Sequence, residues 1–427
     1  MILRGGMVFD PISFPMGKRL DILVREGRIV KLSRNIHLEG EPVVDVKGRY
    51  IFPGVIDMHV HLREPGQTHK EDIATATLAA AAGGVTTVVA MPNTIPPIDS
   101  PQRYREVLSL VREKARVEVL ATASLSVGRG SEELTDFEGL AREGCRWLSD
   151  DGSSLQDKKI IYEACQKIRP TGQLWIEHPE IAFLAHGYPL HDGKAAQKLG
   201  VLGQPREAES LAIWQLGFIA GLVGVRVHFT HLSNWRSVEA VRFLKHAYPD
   251  LFTADTCPHY LYFTEEDVIK RNFDPNTKMN PPLRQERDRL ALLEGIVDGT
   301  IDCLVSDHAP HTEEEKSVGM EKAPFGVIGL ETLLSAAYTL FVVEKKPYVK
   351  NWLALLTTNP SRILGIDRGR IAEGKKANLT IFDPKERWEV KASDFHSKSH
   401  NSIFIGVSLQ GRVVQTYVDG KKVYERE

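Results

Sequence analysis

Two histidines one residue apart, His59 and His61 in the run VIDMHVH, are the first residues whose types and spacing suit chemistry. In an extended strand, residues i and i+2 project to the same face, so both imidazoles are placed to share one metal ion. Asp151, His178, His231 and Asp307 follow, each closing an apolar run: CRWLSDD, QLWIEH, VRVHFTH and IDCLVSDH. Any one of them alone is by default a satisfied structural residue. As a set they are more telling, because donors at the C-terminal ends of several parallel strands converge on one mouth. Imidazole and carboxylate donors without thiolate suit zinc, with manganese, iron or cobalt as alternatives. A catalytic zinc takes three protein ligands and keeps one position open, so a larger set suggests two ions with a carboxylate or water between them.

The elements that must position these donors are legible as a repeat. Eight short apolar runs, 55–61, 85–93, 117–125, 145–151, 173–178, 225–231, 251–257 and 301–308, alternate with amphipathic stretches such as SPQRYREVLSLVREKA and SVEAVRFLKHAYP. Strands alternating with helices predict a parallel sheet, and the count of eight fits an α/β fold of the (β/α)8 TIM-like barrel type. An open doubly wound sheet is the alternative, but no GxGxxG or Walker-type loop supports it. Two connections, 179–204 and 258–285, are long for the fold and fall where substrate loops sit. Residues 1–52 read instead as short alternating strands with turns at Glu26-Gly27 and Lys47-Gly48, and the last fifty or so residues look alike, with a turn at Asp419-Gly420. This predicts a small β-sandwich domain built from 1–52 plus 370–427, flanking a barrel over 53–369.

Composition narrows the function classes. Lysine plus arginine (54) nearly balance aspartate plus glutamate (56), which argues against broad electrostatic binding to nucleic acid or anionic lipid. No apolar run reaches the roughly 18 residues of a membrane span, and the N-terminal MILRGGMVFDP lacks a secretory h-region, so a cytoplasmic protein is expected. The four cysteines, Cys145, Cys165, Cys257 and Cys303, form no CxxC pair and read as small apolar fillers.

PGVIDMHVHLREPG, GGVTTVVAMPNT, SDDG, KMNPPLR, SDHAPH and PFGVIGLET occur in this order along the chain. This series resembles the amidohydrolase superfamily, and specifically the bacterial type I dihydroorotases. The resemblance implies that His59, His61 and Asp307 bind one metal, that His178 and His231 bind a second, and that Asp151 bridges the pair. Many relatives, hydantoinases included, bridge with a carbamylated lysine instead. Lys158 and Lys159 lie beyond the strand end, in what reads as the next helix. The segment after His178 begins Pro179-Glu180, where the family pattern leads one to expect Cys-Glu-Asp.

The implied activity is the reversible cyclisation of N-carbamoyl-L-aspartate to L-dihydroorotate in pyrimidine biosynthesis, with one or two zinc ions per subunit and Asp307 as proton shuttle. The resemblance places Arg63, Asn93 and His311 around the substrate carboxylate, with His61, Asn280, Phe325 and Gly326 against the rest of the substrate. It further implies a homodimer and a complex with aspartate transcarbamoylase. The rival readings are another cyclic amidase, a hydantoinase or allantoinase, and a non-catalytic scaffold for that transcarbamoylase. The stretch 311–325, HTEEEKSVGMEKAPF, is charged without apolar period and reads either as a lid over substrate or as a solvated loop. The other ten histidines, His308 among them, read as structural or solvent-facing.

Overall fold

The computed structural model describes residues 1–427. Strands β1 (Ile2–Asp10), β2 (Phe14–Arg25), β3 (Arg28–Ser33), β4 (Val43–Asp45) and β5 (Tyr50–Pro53) come first. The central strands are β6 (Val55–Val60), β7 (Val85–Ala90), β8 (Glu118–Ala121), β9 (Trp147–Leu148), β10 (Leu174–Glu177), β11 (Val227–Phe229), β12 (Phe252–Thr256) and β13 (Cys303–Leu304). Last come β14 (Leu379–Glu389), β15 (Ser408–Val418) and β16 (Lys421–Glu425).

The eight central strands are all parallel to their neighbours, β6–β7–β8 in one arc and β9 through β13 in the other. Two bridges join the arcs, Ala123 with Leu148 and Val60 with His308, and these close the barrel. Burial on both faces explains why β7 (VTTVVA) carries no charge and is β-branched at five of its six positions, with no residue exposed. Helices return the chain between strands and are stopped locally. Asp72, Ser100, Asp157 and Asn234 accept from backbone N–H groups at helix starts. Gly224 and Gly299 end two helices in the left-handed conformation that a Cβ would disfavour.

Alternation at the termini predicts two packed sheets; hydrogen bonding makes one. The order is β16-β15-β14-β5-β1-β2-β3, with β4 beside β1. This eight-stranded sheet curls until Arg28 on β3 bridges Lys376, just ahead of β14. The inner face buries its own core of 13 residues, while Phe52, Phe382, Leu409 and Val413 of the same sheet pack into the 89-residue core of the barrel. An aromatic seam joins the two: Phe52 meets Trp352 at 5.7 Å and Tyr338 meets Phe382 at 5.1 Å between ring centroids. No helix is long and apolar enough to cross a membrane.

Candidate metal centre and substrate cavity

The six donors meet at one end of the barrel, and the strands hand them over in different ways. His59 lies within β6 and His61 one residue past it; His178 follows β10 directly. Asp151, His231 and Asp307 lie two or three residues beyond β9, β11 and β13, so three donors stand on strand-to-loop turns where the sequence pattern made them strand ends. His231 (φ 42°) and Asp307 (φ 46°) adopt left-handed backbone, as does Arg63 (φ 60°). Such conformations cost about 1–3 kcal/mol each and persist where surrounding structure imposes them, commonly at functional sites.

Asp151 occupies the middle. Its Oδ1 faces His59 Nε2 at 3.2 Å, His178 Nδ1 at 3.5 Å and His231 Nε2 at 3.6 Å, while Oδ2 faces His61 Nε2 at 3.5 Å. Asp307 Oδ1 lies 3.2 Å from His61 Nε2 and 3.6 Å from His59 Nε2. All six are buried. Two overlapping triads, His59–His61–Asp151 and Asp151–His178–His231, each bring their donor atoms within 4.8 Å of one another, and Asp151 belongs to both. His59 Nε2 and Asp151 Oδ1 are buried, adjacent and yet not hydrogen-bonded, an arrangement suited to sharing a cation rather than a proton. The donor set therefore fits one or two divalent ions of borderline softness.

The electrostatics agree. Burial opposes charge on His59, but Asp151 and then Asp307 outweigh it and lift the imidazole to about 9. Burial would raise the Asp307 carboxyl; the His61 hydrogen bond and the charges of His59 and His231 instead hold it at about 2. Asp151 is driven the same way, against burial, by His59, His178 and His231. The cluster thus favours positive charge at its centre.

Further groups fix the donors. Thr230 Oγ1 lies 2.8 Å from His59 Nδ1, and the His61 Nδ1–H points at Asn93 Oδ1 at 2.9 Å. Asp255, wholly buried on β12, accepts from the backbone N–H of His231 at 2.5 Å and from the Thr230 hydroxyl at 3.1 Å, and its other oxygen pairs with His228 Nε2 at 2.8 Å. Glu180 Oε2 sits 3.5 Å from His178 Nε2 and accepts from Asn280 Nδ2 at 2.7 Å. Thr230, Asp255 and Glu180 were not singled out from the sequence. Asp255 left a signal, a carboxylate inside the otherwise uncharged seventh run, and Glu180 is the acidic residue right after His178-Pro179.

Beside the donors opens a cavity of about 190 Å³, with only two hydrophobic residues among its thirteen lining residues. His61, Arg63, Asn93, Asn280, His311, Phe325 and Gly326 all line it, together with Asp151, His178, His231 and Asp307. His59 lies behind this surface, fully buried. Arg63 is 8% exposed; its Nε donates to Pro310 O at 3.1 Å and its Nη2 lies 3.3 Å from His311 Nε2. Burial pushes it down to about 10, so it stays cationic at neutral pH. Burial and the Arg63 charge hold His311 at about 3, hence neutral, with its Nε2–H directed at Phe325 O at 2.9 Å. His308 faces away from the donors toward Glu71, 3.6 Å off, and Lys158 and Lys159 are exposed at a helix start.

Residues 171–423 match the family described as "Amidohydrolase family", and residues 48–237 match "Dihydro-orotase-like". A dihydroorotase of Bacillus cytotoxicus is 40% identical over 407 residues, covering 95% of this chain and 94% of that one. Among solved structures, an L-hydantoinase (dihydropyrimidinase) from Arthrobacter aurescens superposes with TM-score 0.88 at 24% identity, over 99% of this chain and 96% of its own. A D-hydantoinase from Thermus sp. does so with TM-score 0.85 at 21% identity, over 99% and 94%. At those identities the two structures speak for the fold.

Proposed function

Because the chain belongs to the dihydroorotase family of metal-dependent amidohydrolases, we propose that its cavity interconverts L-dihydroorotate and N-carbamoyl-L-aspartate in pyrimidine biosynthesis. The observation that carries this reading is the meeting, in one small polar cavity, of a donor cluster centred on an aspartate and a buried guanidinium. A cyclic amide bearing a carboxylate needs both.

The metal we propose is zinc, one or two ions: His59, His61 and Asp307 would hold one, His178 and His231 the other, with Asp151 between. When bound, such a centre supplies a water acidified from about 16 to roughly 7 and a Lewis acid for the ring carbonyl. Ring opening adds the oxygen of water to the carbonyl carbon, breaks the bond from that carbon to the ring nitrogen, and delivers a proton to the nitrogen. Asp307 is our candidate for moving that proton, being ionised and on the cavity wall. The remaining N–H donors of Arg63 suit a bidentate grip on the substrate carboxylate. Asn93 keeps His61 oriented through its carbonyl, which leaves its Nδ2 for the same carboxylate. Neutral His311, Asn280 and the Phe325-Gly326 backbone complete the wall against which the ring is seated. Ring closure runs the same path backwards.

Partner and compartment readings extend from the family: a homodimer, a complex with aspartate transcarbamoylase, and a cytoplasmic location. Self-association draws support from the mutually packed, partly exposed rings of Trp214, Phe218 and Phe243 beside exposed Leu222.

The test is turnover by zinc-loaded protein of dihydroorotate, hydantoin and allantoin in parallel. Metal-dependent opening of dihydroorotate alone is expected. Preference for hydantoin or allantoin would overturn the substrate. Silence toward all three, with metal bound, would favour the scaffold reading, and adding aspartate transcarbamoylase would then separate a scaffold from an enzyme that needs its partner.

A further inference from the structure

The charged loop that leaves β13 returns to the cavity at Phe325 and Gly326 without an apolar run to anchor it. A buried lysine anchors it instead. Lys316 is 5% exposed, and its ammonium donates to three backbone carbonyls: Gly326 O at 2.9 Å, Pro324 O at 3.0 Å and Lys278 O at 3.3 Å. An ammonium carries three donors, so this set uses all of them. No carboxylate bonds to it; Asp274 and Glu315 act on it only from a distance. Burial and the Lys278 charge push it down to about 7. A buried ammonium without a counter-ion is an expensive way to fill space that a methionine fills at no desolvation cost.

The carbonyls identify what it holds together. Lys278 opens the turn that carries Asn280, while Pro324 and Gly326 flank Phe325. Lys316 therefore ties to one atom two cavity-lining turns that come from different strands and that share one direct backbone bond, Gly326 N–H to Lys278 O at 3.0 Å. Its own placement is fixed. It ends the short helix Glu313–Lys316, capped by Thr312, and Glu315 pins that helix to Lys70 at 2.9 Å.

We propose that Lys316 is a positioning residue for the substrate, its ammonium holding the Asn280 turn and the Phe325-Gly326 turn at a fixed separation so that the cavity wall is preformed. The proposal rests on reading this cavity as the dihydroorotate site. It differs from a purely structural role in what it predicts. Fixing a wall that meets the substrate in ground state and transition state alike affects KM more than kcat. A residue that only stabilises the fold affects melting and leaves KM alone.

The experiment compares full-length, zinc-loaded wild type with Lys316→Met for KM and kcat toward dihydroorotate, zinc content, melting temperature and peptide-resolved hydrogen exchange. KM is expected to rise about tenfold or more with kcat changed by less than about threefold and zinc content unchanged. Exchange should speed up in 317–326 and around 278–280, and not across the barrel. Unchanged KM, or faster exchange throughout together with a lower melting temperature and normal KM, overturns the proposal. Should the methionine variant not accumulate as folded protein, Lys316→Gln, with two donors and no charge, decides by the same readouts. If wild type itself does not open dihydroorotate, the functional reading fails, and hydrogen exchange still tests whether Lys316 holds the two turns.

Discussion

Asp307 stands where the metal cluster and the substrate cavity meet, 3.2 Å from His61 Nε2 and on the cavity wall. Asp307→Asn keeps the shape and removes the proposed proton acceptor, so kcat is expected to fall by about 10²–10⁴-fold with the circular dichroism spectrum unchanged; near-normal turnover would remove Asp307 from the proton path. Arg63→Met should act differently, raising KM far more than it lowers kcat, because the proposed grip on the carboxylate serves ground and transition state alike. Asp255 does not line the cavity, yet it orients His231 through the backbone and His59 through Thr230. Groups of this kind typically govern metal affinity by 10–100-fold, so Asp255→Asn should bind zinc about 10–100 times more weakly in competition with a chelating dye. Equal affinity would reduce Asp255 to a packing role.

At the scale of elements, the barrel strands set a ring of starting points and the turns after them do the aiming. Gly326 shows how tight those turns are. Its φ is 130°, and a Cβ there would lie 2.7 Å from Ala309 Cβ and 3.0 Å from Ala309 O. Gly326→Ala must shift the turn that lines the cavity, so loss of substrate affinity is expected with a drop in stability of about 1–3 kcal/mol, read by steady-state kinetics and urea unfolding. Wild-type KM would mean that the turn relaxes without consequence. The long connections 179–204 and 258–285, singled out by length, do deliver Glu180 and Asn280 to the cavity region. The loop 311–325 is neither free nor simply solvated here, being tied down by His311, Glu315 and Lys316.

For the whole molecule, the terminal sheet is more than an appendage. Asn401, between β14 and β15, donates to both Ala309 O and Gly326 O at 3.1 Å and accepts from His311 N–H, so the C-terminal region braces the cavity rim. Six buried donors from five strands also make metal binding and folding a single problem. A ligand that binds only the native state stabilises it by about 2.7 kcal/mol at one hundred times its Kd. Removing metal with a chelator should therefore lower the melting temperature by several degrees, reversed by zinc. An unchanged melting temperature would mean that the donors do not hold a metal tightly.

The repeat of eight apolar runs, the donors at their ends and the ordered motifs were all legible in the sequence, because each is local: strand burial on both faces writes an apolar run, and a turn residue marks where it stops. The count of eight also pointed to a closed barrel, but not to the residues that close it, since Val60 meeting His308 and Ala123 meeting Leu148 are pairs whose partners no periodicity names. The same holds for the curled terminal sheet, where alternation shows each strand's inner face but not that β5 lies between β1 and β14. Lys316 and Asn401 look ordinary along the chain, and Asp255 shows only as a carboxylate within an apolar run. Their roles come from long-range hydrogen bonds to backbone groups, and only the tertiary structure decides which backbone groups those are.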